Sequence, residues 1–96
     1  MTGPTLRLAD AKLDWRAVEG EILALDTASA EYLSVNRTGA LLWQELATGS
    51  SRDELVNRLV AETGIDAERA AHDVDAFLEQ LDAQGLLIDA GEPAGD

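Results

Sequence analysis

No cysteine occurs in this chain. Disulfides, thiolate metal sites and a nucleophilic thiol are therefore excluded, and a reducing compartment is the natural fit. Histidine occurs once, so any zinc site would need carboxylates alone to complete it. His72 stands beside Asp73 on a helical stretch and reads as an exposed or capping side chain rather than a catalytic base. No apolar run approaches the roughly 18 residues of a membrane span, and Met1 to Leu13 lacks the apolar core of a signal peptide. The expectation is a soluble, cytoplasmic protein with no membrane contact.

Basic residues are scarce as well. Seven Lys and Arg stand against 19 Asp and Glu, a net charge of −12, and from Asp66 onward nine acids face Arg69 alone. Such a surface repels phosphate backbones, which argues against a nucleic-acid partner. It serves either to keep a small domain soluble and monomeric or to attract a basic peptide or protein. Walker and dinucleotide fingerprints are missing, and Glu19-Gly20-Glu21 forms a turn rather than a phosphate loop. Asp73 and Asp75 leave their helix on different sides and make no carboxylate pair. With no nucleophile, tuned acid–base pair or metal cluster, the sequence predicts no enzyme, no cofactor and no catalytic residue.

What the chain does contain is a switch of period. In 96 residues, 46% of them hydrophobic, one domain with a modest core is expected. Leu13 to Val18 alternates as a half-buried strand; Gly20 supplies the positive φ of a tight hairpin; a second strand starts near Glu21. Ile22-Leu23-Ala24-Leu25 is apolar on both faces, as central strands are. After a turn at Asp26-Thr27-Ala28-Ser29, a third strand from about Ala30 to Val35 lies at the edge of the meander. That edge either docks an added peptide strand through its unpaired N–H and C=O groups or is merely flanked by solvent or a helix.

From Asn36 the apolar spacing becomes helical. Asn36 caps a helix from Arg37 to Ala47, in which Gly39, Leu42, Trp43 and Leu46 fall on one face, and Gly39 implies close approach of another backbone. Ser51-Arg52-Asp53-Glu54 is a capping box for a second helix that stops at Gly64. Asp66 caps a third, whose stripe runs Ala67, Ala70, Ala71, Val74, Phe77, Leu78, Leu81 until Gly85. Leu86-Leu87-Ile88 tucks back or adds a short strand. Trp43 belongs to the core with an indole N–H that needs an acceptor; Trp15 is either core or an exposed contact. The expected organisation is a flexible arm at 1–12, a folded domain at 13–88 and a disordered acidic tail at 89–96. The expected fold class is α+β: a three-stranded antiparallel sheet followed by three helices, winged helix-turn-helix-like.

Glu19-Gly20-Glu21-Ile22 through Leu25-Asp26, Tyr32 three residues before Val35-Asn36, Thr38-Gly39-Ala40, Leu42-Trp43, and Asp73-Val74 with Phe77, Leu81 and Gly85-Leu86-Leu87 together resemble the PqqD-like family. These are stand-alone recognition elements of ribosomal peptide natural-product pathways, including those of pyrroloquinoline quinone and lasso peptides. The chain departs from many members in having Ala28-Ser29 where they carry Gly, and Val35 where they carry Leu. The resemblance implies a non-catalytic adaptor that takes the leader segment of a precursor peptide as an added antiparallel strand. The adaptor then presents it to a separate enzyme such as a radical SAM protein, a leader peptidase or a macrocyclase. Carried over by position, the peptide-binding residues are Ala30, Glu31, Tyr32, Leu33 and Ser34 on the strand and Arg69, Asp73, Val74, Phe77 and Gln80 on the third helix, although the spacing of Val74 and Phe77 favours the core. Two other readings stay open: a winged-helix DNA-binding regulator, and a structural module that homodimerises through the same edge, so that the chain is a monomer or a weak homodimer.

Overall fold

Glu19 and Gly20 both take positive φ, 54° and 85°, the type I′ turn whose twist matches that of paired strands. This turn joins β2 (Leu13–Val18) to β3 (Glu21–Asp26), and β3 pairs in turn with β4 (Glu31–Val35), giving an antiparallel meander in the order β2-β3-β4. The computed structural model describes residues 5–89. Helices α1 (Arg37–Thr48), α2 (Arg52–Thr63) and α3 (Ala67–Ala83) follow, so the α+β, winged-helix-like architecture expected from the sequence is the one observed.

Each helix starts where an oxygen-bearing side chain can take an unpaired N–H. Asn36 Oδ1 accepts from Gly39 at 2.9 Å, Ser51 Oγ from Glu54 at 3.2 Å and Asp66 Oδ1 from Arg69 at 2.8 Å. The capping box at Ser51 differs from expectation in its second half, because the Glu54 carboxylate accepts from the Ser50 hydroxyl at 3.2 Å. The core forms where the inner face of the sheet (Ile22, Ala24, Val35) meets Leu42, Trp43 and Leu46 of α1, Leu55 and Leu59 of α2, and Ala70, Val74 and Leu81 of α3. A bidentate pair, Arg52 to Asp75 at 2.6 and 3.0 Å, joins α2 to α3. Hydrogen bonds from Arg52 hold the Asp75 carboxyl below its ordinary pKa.

Five expectations are corrected. The N-terminal segment read as an arm contains β1 (Leu6–Leu8), paired antiparallel with β5 (Leu87–Asp89) and bridged through Leu6 to Ser50. Leu8 is buried there, and burying a leucine offsets the entropy of ordering so short a strand. Asp89, assigned to the tail, ends β5; the rest of the tail and residues 1–4 lie outside the described residues. Trp43 is fully buried and meets Trp15 edge to face, centroids 5.8 Å apart, yet among the described residues its Nε1 finds no acceptor. The close neighbours of Gly39 are side chains rather than backbone: a Cβ there would lie 2.5 Å from Val35 Cγ1 and 3.2 Å from Phe77 Cε1.

The fifth correction concerns Ala30, which belongs to the turn and not to the strand. It sits at φ 62° and donates its N–H to Asp26 O at 2.7 Å. The Asp26 carboxylate accepts from the amides of Ala28 at 2.9 Å and Ser29 at 3.3 Å, closing the turn without a glycine. A left-handed alanine costs about 1–2 kcal/mol, partly offset in any comparison by the greater unfolded freedom of glycine. Ala30→Gly should therefore stabilise the domain by about 0.5–1 kcal/mol, seen as a higher urea midpoint at unchanged slope.

Candidate functional site

The open side of β4 follows from the hairpin before it. Residues flanking a two-residue type I′ turn exchange both main-chain hydrogen bonds, and such pairs alternate along an antiparallel ladder. Val18 and Glu21 flank this turn, so Glu21, Leu23 and Leu25 aim their N–H and C=O groups at β2, while Ile22, Ala24 and Asp26 aim theirs at β4. Thr27 N–H donating to Lys12 O at 2.8 Å and Ala30 N–H donating to Asp26 O keep the same alternation. By register, Val35, Leu33 and Glu31 answer Ile22, Ala24 and Asp26. Tyr32 and Ser34 are left with their main-chain groups directed at the free edge, where no strand lies among the described residues.

Beside this edge runs a groove between β4 and α3. Its middle is lined by Leu33, Ser34, Val35, Asn36, Gly39, Phe77, Gln80, Leu81 and Gln84. Toward the start of α1 it continues past Thr38, Leu42, Asp73 and Ala76, and toward the β3–β4 turn past Tyr32, Glu31, Ser29, Asp26, Leu13, Ala83 and Leu86. Gly39 lets Phe77 close over the floor, since any side chain at 39 would occupy that space. The middle is mixed, with Leu33, Val35, Phe77 and Leu81 set among the polar Ser34, Asn36, Gln80 and Gln84; carboxylates stand at both ends, and neither Lys nor Arg lines any of it.

The residues singled out on the sequence separate accordingly. Glu31 to Ser34 form the edge, Phe77 and Gln80 line the groove, and Asp73 stands at its upper end. Val74 is fully buried in the core, and Arg69 is exposed, 4.0 Å from Asp73 and off the groove wall. Tyr32 is neither covered by α1 nor turned toward α3. It is 73% exposed and, like Ser34, points away from the inward-facing Leu33 and Val35. Asn36 and Gly39, which the sequence presents as cap and packing residue, also line the groove, and so does Gln84, which the sequence does not single out. A glycine inside a helix directly after a strand was the available signal.

The groove offers shape and hydrogen bonds, with little reactive chemistry. His72 is exposed, and among the described residues no group of three His, Asp or Glu side chains could hold a metal. No helix among them is long and apolar enough to cross a membrane. Fold and site define a winged-helix-like α+β domain with an open strand edge forming one wall of a groove of mixed polarity. Residues 21–87 match the family model described as Coenzyme PQQ synthesis protein D (PqqD), and the chain belongs to that family. No curated protein matches it in sequence. Two solved structures are similar. TbiB1 in complex with the TbiA(beta) leader peptide is 23% identical, with a TM-score of 0.78 over 94% of this chain and 99% of that one. Lasso peptide synthetase B1 complexed with the leader peptide is 26% identical, with a TM-score of 0.76 over 86% and 96% of the respective chains.

Proposed function

We propose that this protein is a non-catalytic adaptor of the cytoplasm. It binds the leader segment of a ribosomally made precursor peptide as an extra antiparallel strand on β4, seats alternate side chains in the groove against α3, and presents the peptide to a separate modification enzyme. The observation that carries this reading is the pair of unused main-chain positions, Tyr32 and Ser34, bordering a groove that Leu33, Val35, Phe77 and Leu81 line together with Asn36, Gln80 and Gln84. Strand addition supplies the hydrogen bonds and the groove the selectivity. Family membership supports it, as do the two similar structures, both described as leader-peptide complexes. The second of these favours the lasso-peptide branch, whose receiving enzyme would be a leader peptidase or macrocyclase.

The test is titration of a fluorescein-labelled leader segment, taken from the precursor gene neighbouring this one, with anisotropy as readout. Saturable binding between micromolar and nanomolar is expected, because ordering an extended peptide consumes much of the gross interaction energy. A flat titration overturns the reading. Homodimerisation through β4 is the second reading, favoured by the same open edge. It predicts concentration-dependent sedimentation that added leader peptide reverses. A DNA-reading role for α3 finds no support in a helix whose only base is Arg69.

A further inference from the structure

An antiparallel strand laid on β4 must pair its main chain with Tyr32 and Ser34, the two residues whose groups face the edge. Directly opposed residues of an antiparallel pair carry their side chains on the same face of the sheet. The Tyr32 and Ser34 side chains lie on the outer face, away from the helices. Every peptide residue hydrogen-bonded to one of them therefore also projects outward, and only the residue between, opposite Leu33, enters the groove. The groove reads one set of alternate side chains, and the other set lands on the outer face of the sheet.

That surface is not featureless. Register places Asp14, Leu25 and Tyr32 in one row across the sheet and Arg16, Leu23 and Ser34 in the next. Asp14, Arg16, Leu23, Leu25 and Tyr32 line a shallow hollow there. Leu23 is 37% exposed, Leu25 half-buried and Tyr32 73% exposed. An aromatic ring left this open on an edge strand, next to two leucines, gains contacts only when another strand arrives beside it. From this we infer that the outer face of β3–β4 is a second specificity surface for the same peptide. Tyr32 and Leu25 take an aromatic or aliphatic side chain from the peptide residue paired with Tyr32, two positions C-terminal to the one paired with Ser34. The inference rests on the strand-addition reading and gives a role to the side chains that β4 directs to the outer face, although its main chain borders the groove at Tyr32 and Ser34.

The test uses the full chain and the fluorescein-labelled leader segment, with Tyr32→Ala, Tyr32→Phe and an alanine scan of the peptide. Tyr32→Ala should weaken binding about three- to tenfold, the size of one aromatic cross-strand pair. Tyr32→Phe should stay within about twofold, and both variants should melt within a few degrees of wild type because the ring is exposed. Coupling is the discriminating readout: Tyr32→Ala should abolish the effect of alanine at one outward peptide position and leave the groove-facing position as sensitive as before. If wild type binds and Tyr32→Ala is indistinguishable from it, or peptide sensitivity is confined to one alternate set, the second surface is refuted while strand addition stands. If wild type binds no peptide, both fall.

Discussion

Proline at Ser34 should leave the domain folded and weaken peptide capture by about tenfold or more, whereas proline at Leu33 should destroy the fold. The two positions are neighbours on one strand, and the contrast comes entirely from which way each N–H points. Leu33 pairs with Ala24 inside the ladder. Removing its donor leaves the carbonyl of the buried Ala24 unpaired, at about 1–3 kcal/mol, and also forfeits the Leu33 side chain that packs on the core. In a domain of this size, whose whole stability is of order 5–10 kcal/mol, that combination is severe. Ser34 directs its N–H at the empty edge, the one arrangement in which a strand tolerates proline. The ring then occupies the place of the incoming strand and deletes one of its hydrogen bonds. Thermal melts and anisotropy on both variants decide the matter. A Ser34→Pro protein that melts like Leu33→Pro would show the alternation to be reversed, and one that binds like wild type would show that peptide docks elsewhere.

Gly39→Ala is expected to destabilise, although in an isolated helix it should stabilise by about 1 kcal/mol. The added carbon would stand 2.5 Å from Val35 Cγ1 and 3.2 Å from Phe77 Cε1. Val35 is β-branched and buried, so it has one comfortable rotamer and nowhere to turn. Overpacking of this kind costs about 1–3 kcal/mol, which outweighs the propensity gain. For a domain of this length each kcal/mol lowers the melting temperature by roughly 4–8 °C. Because Gly39 lies in the groove floor, peptide affinity should fall together with stability. A melting temperature that rises would mean that Phe77 and Val35 do not hold their positions in solution.

The elements that local chemistry specifies were readable in the sequence. Gly20 announced the hairpin, Asn36, Ser51 and Asp66 announced three helix starts, and the order of strands left the third at an edge. What escaped depends on partners distant in sequence. Leu6-Arg7-Leu8 is too short to show a period, and its mate is Leu87–Asp89. Val74 and Phe77 share one helical stripe, yet the angle at which α3 meets the sheet buries the first and leaves the second on the groove. The face taken by Tyr32 was in principle derivable, since Leu33 and Val35 are apolar and the strand period is two. What was missing was which side of the sheet the helices cover. The unsatisfied indole of Trp43 has no sequence signature at all.

The pairing of β1 with β5 also dictates how the molecule comes together. Meander and helices are joined by short turns, so their contacts are local and form early. Leu6 and Asp89 meet only after nearly the whole chain has condensed between them. Closing so long a loop costs about 4 kcal/mol of chain entropy, which three paired residues recover only on an already assembled core. The two-stranded sheet is thus the final act of folding and the first part to let go. Amide hydrogens of Leu6–Leu8 and Leu87–Asp89 should exchange together, well before those of the docking edge's own partner strand β3.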